Sequence, residues 1–265
     1  MIILTKGKKM IWIIGGTKDS RDILEKLILN TKKDIIVSTA TEYGGKLLED
    51  YIKNNRNRKI KVISERLNEE QMENLIYENS VNVVIDASHP YAKNVSQSII
   101  NVTNKINTKY IRFERKMLDY GNENVKKFPT LEKMNNFIKN YNEKNILSTL
   151  GSNNLEDIKI MDERNNLYIR ILPTTDSIKK AETLGYLPSK IIAIQGPVDK
   201  GLNKAILESY KIDFLITKES GYTGGEQEKI EACKEMEIMV LVLERPYVDY
   251  GVVYNDIEDI LKNMN

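Results

Sequence analysis

The chain has 265 residues, of which 41% are hydrophobic and 29% are charged, the proportions of an ordinary soluble globular protein. Its 40 basic and 38 acidic residues nearly balance, which argues against a nucleic-acid-binding protein because such proteins carry a clear basic excess. The single cysteine excludes an internal disulfide, and one cysteine with one histidine argues against a soft-metal site, so we expect no bound metal.

The first residues, MIILTKGKKM, do not have the pattern of a signal peptide, since their charges follow a short apolar part instead of preceding it. No apolar run approaches the ~20 residues that a membrane span requires. We therefore expect a cytoplasmic protein without membrane contact. Residues 1–9 are expected to be a short extension that precedes the chain's proper start at Met10.

The first predicted element is an apolar strand at residues 10–14 that stops abruptly at Gly15, Gly16 and Thr17. An amphipathic helix pattern follows, and phosphates bind at such a strand–turn–helix junction in parallel sheets. Glycine allows close approach of a phosphate to the backbone, and Thr17 offers a hydroxyl donor and a helix N-cap. An ordinary tight turn is the alternative, because the full G-x-G-x-x-G pattern is absent.

Apolar strands and amphipathic helices alternate along the rest of the chain, which indicates parallel sheets covered on both faces. The predicted strands are residues 10–14, 34–40, 59–64, 82–87, 109–113, 145–150, 167–172, 190–194, 213–217 and 238–243. The predicted helices are residues 20–29, 46–53, 68–79, 95–104, 130–140, 177–184, 202–210, 226–236 and 256–262. Cys233 falls on the apolar face of one of these helices and is expected in the core.

This order predicts an α/β fold of two Rossmann-like lobes, each with a mostly parallel sheet of about five strands, and a ligand cleft between them. The charged, turn-rich residues 116–129 mark the joint, so we place one domain at residues 1–120 and the other at 121–265. Both halves begin with a strand that runs into a glycine turn, at Gly15 and at Gly151.

Two loops of the first half carry candidate site residues. After the second strand come Thr41, Glu42 and Tyr43, and a carboxylate there is placed to accept hydrogen bonds from an adenosine ribose, which favours NADH over NADPH. A glycine turn with a solvated Glu42 is the alternative. The loop after the fourth strand holds Asp86, Ser88 and the only histidine, His89, followed by Tyr91. That density of donors and acceptors at a strand end favours a functional site.

Three loops of the second half end strands with polar or glycine-rich sequences. They contain Ser152 and Asn153, then Gln195 and Gly196, and finally residues 218–225, which include Lys218, Ser220, Gly224 and Gly225. Each alone could be an ordinary connector, but three such loops together indicate ligand binding.

Two other patterns do not carry a function. Tyr186 and Lys190 match a Tyr-x-x-x-Lys dehydrogenase pattern, but Pro188 between them breaks the helix that this chemistry needs. Asp86, Ser88 and His89 are too close in sequence to adopt the geometry of a hydrolase triad, and no G-x-S-x-G motif is present.

Five motifs in order resemble the precorrin-6A reductase family of cobalamin biosynthesis. They are Gly15-Gly16-Thr17 with Arg21, the Asp86–Ala92 loop, Arg170-Ile171-Leu172-Pro173, Gln195-Gly196-Pro197, and the Lys218–Gly225 loop. The resemblance covers the chain from Met10 on. It implies hydride transfer from NAD(P)H to a ring-D double bond of precorrin-6A, a tetrapyrrole, or of its cobalt-containing form.

The resemblance also implies site roles, which we combine with the loops above. Cofactor binding is assigned to Gly15, Gly16, Thr17, Thr41, Glu42, Tyr43, Asp86 and Ser88. Substrate binding is assigned to Arg21, Tyr91, Ser152, Asn153, Arg170, Gln195, Gly196, Ser220, Gly224 and Gly225. His89 and Lys218 are the catalytic candidates, His89 as a proton donor, although water could serve instead.

The loop around Glu42 departs from the pattern of the aerobic, NADPH-using branch, which carries a serine and an arginine there. The departure favours NADH and the anaerobic, cobalt-precorrin branch, with NADPH as the alternative. The other functions left open are a tetrapyrrole methyltransferase, a different oxidoreductase on an α/β fold, and a non-catalytic nucleotide sensor.

Overall fold

Two parallel β-sheets of six strands each organise the chain in a computed structural model that describes residues 9–54, 59–121, 124–221 and 224–264. The strands are β1 Met10–Ile14, β2 Ile35–Ser38, β3 Ile60–Ile63, β4 Val81–Asp86, β5 Lys109–Phe113, β6 Val125–Phe128, β7 Asn145–Ser148, β8 Asn166–Ile171, β9 Ile191–Ala193, β10 Phe214–Lys218, β11 Met239–Leu243 and β12 Val253–Tyr254. The predicted α/β class with parallel sheets is confirmed.

Helices follow most of the strands. They are α1 Lys18–Asn30, α2 Glu42–Lys46, α3 Glu49–Asn54, α4 Glu69–Glu78, α5 Lys93–Ile106, α6 Leu131–Ile138, α7 Leu155–Ile158, α8 Thr175–Thr183, α9 Lys200–Ser209, α10 Glu226–Glu235 and α11 Ile257–Asn263. Short 3-10 turns lie at Ser152–Asn154, Lys159–Glu163 and Pro188–Lys190. Where a single helix was predicted at residues 46–53, the structure has α2 and α3. Among the described residues, none of the helices is long and apolar enough to span a membrane.

The first sheet has the strand order β3-β2-β1-β4-β5-β12, and the second has β9-β8-β7-β10-β11-β6. In both sheets, the strand order changes direction between two neighbouring strands. These are β1 and β4 in the first sheet and β7 and β10 in the second. Loops that follow these strands emerge at the point where open parallel sheets bind ligands. The fold therefore places a candidate site on each sheet.

Strand β1 shows why the first sheet is covered on both sides. Its side chains alternate, so that Ile11 and Ile13 belong to one buried cluster, whereas Trp12 and Ile14 belong to another. Helix α1 lies on the first cluster, and α4 and α5 lie on the second. This alternation explains the continuous apolar run that began the sequence.

The chain divides into two units, and the division differs from the predicted one. One unit comprises the described residues up to Arg115 together with those from Pro246 onward, and the other is Lys116–Arg245. The predicted second domain ran to residue 265, but β12 pairs with β5, and α11 buries Ile260 in the core of the first unit. Neither sheet has five strands, because the predicted joint contains β6 and the segment after β11 contains β12.

Candidate active site

The turn after β1 requires glycine at two positions for two different reasons. A Cβ on Gly15 would lie 3.0 Å from the Ser20 Oγ and 3.2 Å from the Ser38 carbonyl oxygen. Gly16 has a φ of +96°, which residues other than glycine rarely adopt. A Cβ on Gly16 would meet no atom within 4 Å. Gly16 therefore leaves the outer side of the turn open.

Thr17 is the N-cap of α1, as predicted. Its Oγ1 accepts a hydrogen bond from the Ser20 backbone N–H at 3.1 Å, and the Ser20 hydroxyl completes a capping box. The same Oγ1 donates to the Ala87 carbonyl at 2.9 Å, so its proton is already engaged. The expectation that Thr17 donates to a ligand is corrected, because what the turn can offer is the backbone N–H groups that begin α1.

The bond from Thr17 to Ala87 joins the turn after β1 to the loop after β4, which are the two loops at the reversal point of the first sheet. Close to them, Asp19 in the first turn of α1 accepts a hydrogen bond from the Arg115 side chain. Arg21 lies half-buried in the same helix.

The loop after β2 also starts a helix. Thr41 Oγ1 accepts from the Gly44 N–H at 3.2 Å and caps α2, whose first residue is Glu42. Glu42 and Tyr43 are exposed at the carboxyl end of the sheet. The structure thus leaves the Glu42 carboxylate accessible, and its role in cofactor choice stays a prediction.

Asp86 differs from the expectation, because it is completely buried. Its Oδ1 accepts from the Ser88 N–H and pairs with Arg112 Nη1 at 2.8 Å, and its Oδ2 accepts from the Ser96 and Tyr110 hydroxyls. With both oxygens engaged by protein groups, Asp86 cannot contact a cofactor in this arrangement. Its role is to position the loop that follows.

Arg112, which the sequence analysis missed, is the centre of this cluster. Besides Asp86, it donates to the Ser88 Oγ at 3.1 Å and to the Glu114 Oε1 at 3.0 Å, and its guanidinium lies 4.6 Å from the centre of the Tyr250 ring. Burial alone would lower the pKa of Arg112, but the attraction of Asp86, Tyr250 and Glu114 outweighs it and raises the pKa. Arg112 therefore stays charged.

Ser88 is buried by these contacts, whereas His89 is exposed. The Nδ1 of His89 accepts from the Tyr91 N–H at 3.2 Å, and the two rings lie 5.7 Å apart. Because Nδ1 is an acceptor, this geometry assigns the proton of the neutral ring to Nε2. His89 thus presents an N–H donor at the carboxyl end of β4.

In the second unit, the segment after β7 contacts the first turn of α8, the helix that follows β8. Gly151 has a φ of +77°, and the Ser152 Oγ accepts a hydrogen bond from the Ser177 Oγ at 3.2 Å. Ser177 in turn accepts from the N-cap residue of α8, Thr174. Because Ser152 and Asn153 follow β7, they lie at the reversal point of the second sheet.

The two glycine loops that were predicted separately pack against each other. A Cβ on Gly225 would lie only 2.8 Å from the Pro197 Cβ, so residue 225 must be glycine for the loops to meet. Gln195 and Gly196 are exposed, Gly224 is half-buried, and Ser220 and Gly225 are buried. Tyr222 and Thr223 of the same loop lie outside the described residues.

Buried carboxylates hold the loop after β10. Glu219 pairs with Lys127 at 2.9 Å and accepts from the Arg245 N–H, and Glu226 accepts from the Gly221 N–H at 2.6 Å. Burial lowers the pKa of Lys218, at the end of β10, to about 8. Lys218 can therefore release a proton near neutral pH more readily than an ordinary lysine.

Arg170 on β8 donates to the Asn203 Oδ1 at 2.8 Å, and burial lowers its pKa to about 10. Sequence reasoning nominated Arg170 but missed Glu226 and Lys229 on α10. The signal was available, since residues 226, 229, 230 and 233 share one helical face on which two apolar residues mark the core. Cys233 is fully buried there, as predicted.

Most of the assigned residues thus form two groups, one in each unit, while Thr41, Glu42 and Tyr43 follow β2. Gly15, Gly16, Thr17 and the loop from Asp86 to Tyr91 form the first, and the loops that begin at Gly151, Gln195 and Lys218 form the second. Within the described residues, no three histidine, cysteine, aspartate or glutamate side chains are grouped in a way that could hold a metal ion.

The comparisons with known proteins agree with the motifs. The family model of precorrin-6x reductase CbiJ/CobK matches residues 10–265. Cobalt-precorrin-6A reductase of Methanocaldococcus jannaschii is 34% identical over 251 residues, which cover 94% of this chain and 96% of the relative. The enzyme of that name from Methanococcus maripaludis is 32% identical over 259 residues, which cover 96% of this chain and 99% of the relative.

The solved structure of CobK precorrin-6A reductase has the same fold, with a TM-score of 0.75 at 15% identity over 96% of this chain and 95% of that one. The resemblance drawn from the five motifs is confirmed. The chain belongs to the precorrin-6x reductase family, and its reaction is a reduction in cobalamin biosynthesis.

Proposed function

We propose that the protein transfers a hydride from NADH to a ring-D double bond of cobalt-precorrin-6A, which yields cobalt-precorrin-6B. The observation that carries this proposal is the match of the family model to residues 10–265. The names of the two archaeal relatives support the cobalt-containing substrate, because these relatives align over almost their whole length.

The residues of the first unit fit a dinucleotide. The open side of Gly16 leaves room for a pyrophosphate beside the first N–H groups of α1, a 13-residue helix whose N-terminus favours anions. A bound nicotinamide supplies the hydride, and the protein supplies binding, orientation and electrostatics. Gly15 lets the turn pack tightly on Ser20, and Thr17 fixes it to the loop after β4.

NADH is favoured over NADPH because of Glu42. An exposed carboxylate at the start of α2 can accept hydrogen bonds from two ribose hydroxyls, whereas it would repel a 2′-phosphate. The lysine that follows Glu42 in α2 is Lys46, which lies in the last turn of that helix and is also exposed.

Reduction of the double bond also requires a proton. His89 can donate from Nε2, since its Nδ1 accepts from Tyr91, and Lys218 has a pKa of about 8 because of burial. We assign proton delivery to these two side chains, with His89 as the first candidate. Arg21, Arg170 and Lys218 supply positive charge for the carboxylates of the tetrapyrrole.

The test is an anaerobic assay of nicotinamide absorbance with precorrin-6A, with and without cobalt, in the presence of NADH or NADPH. We expect oxidation of NADH with the cobalt-containing substrate to be the fastest of the four combinations. Absence of oxidation in all four would overturn the proposal. Consumption of S-adenosylmethionine instead would indicate a methyltransferase, and NADH binding without oxidation would indicate a sensor.

A further inference from the structure

A polar layer lies on the face of the second sheet that α9 and α10 cover. It contains Arg170 on β8, Thr217 on β10, Asn203 on α9 and Lys229 on α10. Lys229 is buried, with 6% of its surface exposed, and its Nζ donates to the Thr217 Oγ1 at 2.7 Å. Thr217 immediately precedes Lys218, so the layer lies directly behind the candidate site of this unit.

The two cations of the layer have only neutral hydrogen-bond partners. In the part of the chain that the structure describes, Arg170 donates only to Asn203, and Lys229 donates only to Thr217. Neither takes part in an ion pair with a described carboxylate. A half-buried and a buried cation near each other repel, and an anion would relieve both this repulsion and the loss of hydration.

The charged groups around Lys229 are few. Arg170 faces it from β8, and Glu226, Glu228 and Cys233 face it from its own helix. Burial and Arg170 lower the pKa of Lys229 to about 7, and the two glutamates oppose this less strongly. Both oxygens of Glu226 are engaged by the Gly221 N–H and the Tyr120 hydroxyl, and burial keeps Cys233 as a neutral thiol by raising its pKa to about 12.

We infer that Arg170 and Lys229 form a two-cation subsite for one carboxylate of the substrate, an inference that rests on the proposed function. Arg170 is half-buried and contacts the carboxylate directly, because only one of its five N–H donors is engaged by the protein. Lys229 lies behind it as a positioning residue. When the carboxylate binds, it favours the charged form of Lys229, so the fraction of Lys229 that is still a neutral amine takes up protons from solvent and becomes an ammonium that attracts the bound anion.

The test measures the dissociation constant of cobalt-precorrin-6A from the change in its absorbance, without nicotinamide, at pH 6 and at pH 9. For wild-type protein, binding should weaken as the pH rises above about 7. Lys229→Met should bind about tenfold more weakly at pH 6, which corresponds to a rise of one unit in the pKa of Lys229 on binding. At pH 9 the variant and wild type should converge, since the free proteins then carry the same charge at residue 229.

The matched control is Lys234→Met, which removes an exposed lysine from the same helix and should leave the dissociation constant unchanged at both pH values. An equal loss at pH 6 and pH 9 in Lys229→Met would mean a structural role and would overturn the inference. No loss at pH 6 would overturn it as well.

Proton uptake by the wild-type protein is a second measurement that does not require a variant to fold. Calorimetric titrations at pH 7.5 in two buffers of different ionisation enthalpy should show net proton uptake on binding, and Lys229→Met should lack it. Absence of uptake by wild type would also overturn the subsite. Oxidation of NADH by wild type tests the proposed function separately, so a protein that turns over without this pH dependence would contradict the subsite alone.

Discussion

Gly15 and Gly16 are neighbours whose missing side chains serve different purposes. Gly15 is favoured by packing, because a Cβ there would lie only 3.0 Å from the Ser20 Oγ and 3.2 Å from the Ser38 carbonyl oxygen. Gly16 is required by its positive φ and leaves the outside of the turn open. A substitution of Gly16 therefore tests ligand binding, whereas a substitution of Gly15 would mainly disturb the turn itself.

We expect Gly16→Val to weaken NADH binding at least tenfold, because the new side chain would fill the space beside the N-terminus of α1. Backbone strain at a positive φ should also lower the stability of the fold by roughly 1–2 kcal/mol. NADH affinity is measured by fluorescence titration. The matched control is Gly251→Val, at another glycine with a positive φ of 66° and no atom near its Cβ position.

Gly251→Val should lose similar stability but keep its affinity for NADH. If both variants bind NADH like the wild type, the turn after β1 does not hold the cofactor.

Glu42→Arg should shift cofactor preference towards NADPH, because a guanidinium can pair with a 2′-phosphate that a carboxylate repels. We expect the ratio of kcat/KM for NADH to that for NADPH to fall at least tenfold in steady-state assays. Glu49→Arg, at the exposed start of α3, makes the same charge change and is the control. An unchanged ratio in Glu42→Arg would contradict the role given to this residue.

At the scale of elements, the ends of β4 and β5 are joined by the buried pair Asp86–Arg112. Removal of one partner leaves an uncompensated buried charge, so we expect Arg112→Met to lower the free energy of unfolding by about 3–5 kcal/mol. Urea denaturation followed by circular dichroism measures this loss.

The double variant Asp86→Asn/Arg112→Met should recover part of that stability, because it leaves no unpaired buried charge and the single amide oxygen can still accept from the Ser96 and Tyr110 hydroxyls, which bond to the same carboxylate oxygen of Asp86. A loss below about 1 kcal/mol in the single variant would show that the pair does not hold these strand ends together.

The predictability of each strand depends on how apolar and how long its sequence is. Central strands such as β1 are continuous apolar runs and were placed correctly. The edge strands β6 and β12 lack this signal, since β6 is VKKF, with both lysines exposed, and β12 has only two residues. The edge strands β3 and β9 contain more apolar residues and were predicted. The glycine turn and its capping threonine have local signatures, and the sequence therefore predicts them.

The apolar face of α10 indicates that Lys229 is buried, but the partners of Arg112 and Lys229 have no local signature. The functions of these two residues depend on partners far away in the chain, such as Asp86 and Thr217, and these pairings become visible only in the fold. Arg112 nevertheless sits within a buried strand, KYIRF, where an inward-facing charge implies a buried partner.

At the scale of the whole molecule, the second sheet is built from the consecutive strands β6 to β11, whereas the first sheet receives its sixth strand, β12, from residues that follow all of them. After β5 the chain leaves the first sheet and contributes β6 next to β11, and after β11 it returns to contribute β12 next to β5. The returning residues also bring Tyr250 onto Arg112 and Asn255 Nδ2 to the Glu114 carbonyl at 2.7 Å. The first unit is thus completed by residues more than a hundred positions later in the sequence.

Deletion of Pro246–Asn265 should destabilise the first unit and leave the second largely intact. The deletion removes β12 and exposes core surface that Ile260 and Met264 cover, at about 1.5–3 kcal/mol for each buried side chain. Hydrogen exchange read by mass spectrometry should show lost protection in β1, β4 and β5 but retained protection in β7, β10 and β11.

Tyr247→Ala is the control within the same segment, since Tyr247 is 85% exposed and its loss should change stability by less than about 0.5 kcal/mol. If β1, β4 and β5 keep their protection against hydrogen exchange in the truncated protein, the segment Pro246–Asn265 is dispensable for the first unit.

The return of the chain to the first sheet also sets an order of events during synthesis on the ribosome. All the strands of the second sheet have been translated before the polypeptide reaches β12 and α11, whereas the first sheet must wait for them. Domains that fold during translation usually do so from the N-terminus onward. In this protein, the half that is made first becomes complete last, so the glycine turn after β1 acquires its finished surroundings only when the final helix has been made.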